Sequence, residues 1–190
     1  MSLPGCVFER WSPQIGDPTL TGWFTVAAYG VAGMLCLVSF ARSDTRVIRR
    51  FGQVAGVLLL ALMVNKQLDL QSALTAFGRC LSQAQGWYEQ RRTVQALFVI
   101  AILLGFVLTS GLVFRAMRRY LGEIRLALAG LFFVLAYVTI RAVGFHHIDT
   151  LFGTRNFDTG MAWALELGGI ALIAANAIAF LRLRPGRQER

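Results

Sequence analysis

Both histidines of this chain fall in one stretch, where one apolar run ends and another begins. The stretch reads Arg141, Phe145, His146, His147 and Asp149, then Arg155, Asn156 and Asp158, with Glu166 inside the following run. Guanidinium, imidazole and carboxylate so spaced can do three things. The first is charge pairing. Arg141 lies about 7.5 Å below His146 along a helix, and Glu166 sits at similar depth in the next, so an antiparallel pair would bring them together. An unpaired charge in lipid is costly, which makes an Arg141–Glu166 ion pair the leading expectation. Asp69, at the end of an earlier apolar run, can join them. The second is catalysis, with Glu166 or Asp69 as a general base beside Arg141. The third is metal binding. His146 and Asp149, at i and i+3, share a helix face, and with Glu166 or Asp69 they form a mixed nitrogen–oxygen set suited to zinc or another divalent ion. His147 points about 100° away from His146 on a helix, so one of the two would ligate. Equally, both histidines can simply cap an outward helix C-terminus. Haem held by two histidines needs them on facing helices, and a chain with no third histidine does not supply that pair.

The elements that must position these groups are membrane-spanning helices. The chain has 190 residues, 56% of them hydrophobic, and a mean hydropathy of +0.57, too apolar for a soluble domain of this size. Five segments approach the ~20 apolar residues of a crossing: 21–40, 51–70, 94–114, 124–145 and 160–181. Strand-like alternation is absent, and helices satisfy their own backbone in lipid, so an all-α integral membrane bundle is expected. It reads as a single membrane domain over 1–190, without repeat or linker. Residues 1–20, with Pro4, Pro13 and Pro18, read as an irregular outer segment. The second crossing offers an unbroken apolar run only over 51–64, about 21 Å, so the helix is expected to continue through Gln71, with Lys66 pairing with Asp69 at its end. From Leu70 to Tyr88 apolar residues recur at helical spacing over a polar background. That pattern predicts an amphipathic interfacial helix between crossings two and three, with Trp87 and Tyr88 at the membrane surface. Gly105, Ser110 and Gly111 read as contact points in the third crossing and Asn176 as an interhelical hydrogen-bonder in the fifth, which Asn156 or Asp158 would cap.

The net charge of +9 does not signal nucleic acid, because the basic residues cluster between apolar segments. Arg42, Arg46, Arg49 and Arg50 form one group. Arg115, Arg118, Arg119 and Arg125 form a second, and Arg182, Arg184, Arg187 and Arg190 a third. All three fall on one side if five helices alternate, and such clusters mark the cytoplasmic side. The N-terminus is then outside, the basic tail 182–190 is cytoplasmic, and the membrane is a plasma membrane such as the bacterial inner membrane. No cleavable signal is evident at the start of the sequence. Cys6 and Cys80 share the outer side and can form a disulfide, while Cys36 reads as a small apolar residue inside the first crossing.

Phe145-His146-His147-Ile148-Asp149, followed by Leu165-Glu166-Leu167-Gly168-Gly169-Ile170, resembles part of the membrane hydrolase superfamily that contains alkaline ceramidases and progestin/adiponectin-type receptors. Those proteins pair a histidine after an outer-leaflet helix with an acidic residue and Gly-Ile in the next helix. The resemblance implies a zinc ligand at His146 and an acidic partner at Asp149 or Glu166. That family has seven helices and three zinc histidines, where this chain has five apolar segments and two histidines. Two functions are therefore weighed. One is a membrane hydrolase at the outer face, acting on a lipid or lipid-linked substrate with Asp69, Arg141 and Glu166 as its catalytic groups. The other, favoured by a chain without a complete motif, is a non-catalytic subunit or scaffold that offers small-residue faces to partner helices. A transporter is disfavoured, since no inverted repeat or broken central helix is visible.

Overall fold

The structure, a computed structural model, describes residues 3–12, 15, 17–86, 88–143 and 159–183. Among the described residues every regular element is helical: α1 (Leu3–Arg10), α2 (Leu20–Ala41), α3 (Arg46–Leu68), α4 (Leu70–Ala84), α5 (Arg91–Met117), α6 (Leu121–Val143) and α7 (Thr159–Leu183), with 3-10 turns at Tyr88–Gln90 and Arg118–Tyr120. Four stretches are long and apolar enough to cross a membrane: Leu20–Ala41, Arg46–Leu68, Thr93–Ala142 and Trp163–Leu183. The third runs through α5, the turn at Arg118–Tyr120 and α6. Its two halves fold back on each other, because the rings of Phe106 and Phe132 lie 5.3 Å apart. One unbroken helix would separate them by roughly 39 Å.

Local chemistry sets the helix ends. Thr19 is extended and its hydroxyl accepts from the N–H of Gly22 at 3.1 Å, capping α2. Asp17 in turn accepts from the Thr19 hydroxyl at 2.6 Å and its N–H at 3.1 Å, and these bonds hold the Asp17 carboxyl below its ordinary pKa. The start of the chain is not irregular throughout, as its prolines suggest. Pro4 falls in the first turn of α1, where a missing N–H costs nothing. Nor is the second crossing short. α3 begins at Arg46 and its 23 residues reach roughly 34 Å. It does not continue through Gln71 either: it stops at Leu68 because Asp69 adopts φ 46° and ψ 50°. Aspartate is one of the few residues that tolerates this left-handed geometry. The amphipathic helix expected after Leu70 is present as α4, and a disulfide between Cys6 and Cys80 ties α1 to it. Trp87 lies outside the described residues.

α2 packs against both α3 and α7, α7 packs against α6, and α5 leans on α6. Tyr29, Cys36 and Phe40 of α2, Leu59 of α3, Val134 of α6 and Ile173 of α7 belong to one buried cluster. Two hairpin crossings rest on glycine. A Cβ on Gly56 would sit 2.9 Å from the carbonyl oxygen of Gly33 on α2. A Cβ on Gly169 would sit 2.8 Å from the carbonyl oxygen of Gly130, and one on Gly130 would collide with that of Gly169. Backbones this close leave no room for a side chain. Nearer the arginine-rich end, Asn176 of α7 grips α6. Its Nδ2 donates to the Glu123 carbonyl at 2.8 Å and its Oδ1 accepts from the Ala127 N–H at 2.9 Å, serving both ends of one helical rung. Gly105 and Gly111 make no close contact within this chain: among the described residues a Cβ at either would meet nothing within 4 Å.

Candidate functional site

At the end of the bundle that carries the disulfide, four helices bring their charged and phenolic groups together. Glu166 lies about two turns into α7 and is 1% exposed. Both its carboxylate oxygens accept from Nζ of Lys66 on α3, at 3.0 and 2.9 Å. The Tyr29 hydroxyl of α2 donates to Oε1 at 3.3 Å. Lys66 Nζ also stands 5.8 Å from the centre of the Tyr137 ring on α6, within range of a cation–π attraction. Tyr137 then links to the second cation, since Nη1 of Arg141 directs a bond to its hydroxyl at 3.4 Å. Arg141 faces Asp69 at 3.6 Å, and Asp69 accepts from the Ser72 hydroxyl at 2.5 Å.

The structure thus gathers Asp69, Arg141 and Glu166 at one end of the bundle, but with other partners than their spacing suggests. Arg141 pairs with Asp69, not Glu166, and Lys66 pairs with Glu166, not Asp69. Helical rise fixes which residues share a depth, but it leaves the direction each side chain faces undetermined. α3 reaches Glu166 with Lys66, and the left-handed turn at Asp69 carries that carboxylate away to Arg141. Tyr29 and Tyr137 go unnoticed in the sequence reading. The signal for them exists, because each is a phenol inside an otherwise apolar run and a buried phenol needs a partner. A second signal lies in composition. Of the 19 Lys and Arg residues, Lys66 is the sole lysine.

His146 and Asp149, the candidate metal ligands, lie outside the described residues, as do His147, Arg155, Asn156 and Asp158. Among the described residues no group of three or more His, Cys, Asp or Glu side chains could hold a metal ion. Beside Asp69, a cavity of about 350 Å³ opens between the junction of α3 with α4 and the segment around α1, lined by Phe8, Glu9, Arg10, Trp11, Ser12 and Asp69 among others. The chain matches no family model, no curated protein and no solved structure. Fold and site together define a helical bundle with four candidate transmembrane stretches and a paired polar cluster at one end.

Proposed function

We propose that this chain is a non-catalytic membrane scaffold or subunit that crosses the bilayer five times. The third apolar stretch supplies two of the crossings, as the Phe106–Phe132 contact supports. The N-terminus is extracytoplasmic and the tail cytoplasmic. Two independent features support that orientation. The arginine groups at 42–50 and 115–125, together with Arg182, fall at one end. The Cys6–Cys80 disulfide is at the other, and disulfides persist in oxidising compartments.

The observation that carries the scaffold reading is the closed state of Glu166. Lys66 takes both its oxygens and Tyr29 adds a third bond, whereas a general base needs a lone pair directed at substrate. Buried and paired, it ties α3 to α7 across α2. The outward walls suit a partner. α5 exposes Leu97, Val107, Leu108 and Leu112, and α7 presents Ala164, Gly168, Ala171 and Ala175 along an open groove beside Phe133. Small residues in such register let another helix approach closely.

Thermal unfolding of Glu166→Gln in detergent micelles tests this reading. A structural pair predicts a lower melting temperature, because Lys66 is left buried without its counter-charge. A melting temperature equal to or above the parent's would contradict it, since residues selected for catalysis characteristically cost stability.

A further inference from the structure

Charge of both signs and two aromatic rings surround the cavity beside Asp69. Phe8, Glu9, Arg10, Trp11 and Ser12 line one side and Asp69 the other. The Cys6–Cys80 disulfide fastens α1 to α4 and so keeps this wall in place. α4 is amphipathic, which puts the cavity at the level where lipid headgroups lie. We propose that the cavity binds a phosphoethanolamine group, the headgroup of a zwitterionic phospholipid.

The donor and acceptor count fits. A primary ammonium brings three N–H donors, and the carboxylates of Glu9 and Asp69 supply acceptors. Asp69 already meets Arg141 and Ser72, yet a carboxylate has about four acceptor positions. Trp11 and Phe8 also line the cavity, and their rings can attract the same cation. The phosphate finds Arg10, whose planar fork suits it and is held by a bond to Gln83 at 3.3 Å. A headgroup with negative charge alone would meet two carboxylates. A trimethylammonium group would bring no N–H donors for the acceptors.

The test uses the full chain purified in detergent, with phosphatidylethanolamine, phosphatidylcholine, phosphatidylglycerol and diacylglycerol titrated separately. Retention is read by native mass spectrometry. Phosphatidylethanolamine is expected to be retained in preference to the other three. Glu9→Gln, an exposed position whose unchanged melting temperature without lipid reports intact folding, is expected to weaken that retention about tenfold, and reduction of the disulfide to weaken it as well. Water-soluble glycerophosphoethanolamine, added as competitor, separates two sources of the ligand. Competition assigns the site to the headgroup alone, failure to compete assigns it to the intact lipid, and either outcome supports the proposal. Equal retention of phosphatidylcholine or phosphatidylglycerol by the parent overturns it. So does a Glu9→Gln variant that holds phosphatidylethanolamine as the parent does. The site does not depend on the scaffold reading, because neither Lys66 nor Glu166 lines it.

Discussion

Arginine carries every positive side chain of this protein except one, and the exception is the cation inside the bundle. Lysine is a compact charge on a flexible stem, able to meet both oxygens of one carboxylate while its methylenes pack against apolar neighbours. A guanidinium is broader and planar. Lys66→Arg is therefore expected to destabilise the protein despite keeping the charge, by the ~1–3 kcal/mol that overpacking a core costs. Thermal unfolding beside the parent checks it, and unchanged stability would mean that the site has slack. Asp69 should behave differently. Its pair with Arg141 is about one-third exposed on both sides and lies at 3.6 Å, so its contribution is small. Asn tolerates the left-handed backbone and removes only the charge. Asp69→Asn should accordingly change stability by no more than about 1 kcal/mol in denaturant titration. A loss as large as that of Glu166→Gln would show the two pairs to be one cooperative unit.

The helices themselves are legible in the sequence, because a length of apolar residues that can span lipid has few alternatives. Their faces are less so. Gly168 and Gly169 are neighbours in the chain and read alike as small residues, yet they differ completely in setting. Among the described residues a Cβ on Gly168 would meet nothing within 4 Å, whereas one on Gly169 would press on the backbone of Gly130. Gly169→Ala is expected to destabilise the protein by about 1–3 kcal/mol, while Gly168→Ala stays near neutral. Equal effects, measured by thermal unfolding, would contradict the α6–α7 crossing. The same limit explains Gly105 and Gly111, where composition suggests contact and the helix face points outward. It also explains the exchanged ion pairs. Sequence spacing places Arg141 and Glu166 at one depth, but α3 could not be oriented around that depth without knowing that its helix breaks at Asp69. Asn176 is the opposite case, a lone amide in an apolar helix whose need for a partner is evident before the partner is known.

At the scale of the whole molecule, orientation and integrity depend on separate features. The proposed orientation rests on the described arginine groups and the disulfide lying at opposite ends. A cysteine introduced at the exposed position Asp44, with Cys36 replaced by alanine, is expected to resist a membrane-impermeant maleimide in intact cells and to react with a permeant one. Reaction with the impermeant reagent would reverse the orientation. Integrity is expected to rest on the Lys66–Glu166 pair, which joins α3 to α7 at 2.9 Å. A double-mutant cycle over Lys66→Met and Glu166→Leu, followed by unfolding in micelles, measures it directly. Each single substitution strands a buried charge and is expected to cost about 3–5 kcal/mol, whereas the double variant leaves none stranded and should be more stable than either single. Losses that simply add, within about 0.5 kcal/mol, would mean the two side chains do not hold each other and would contradict the account.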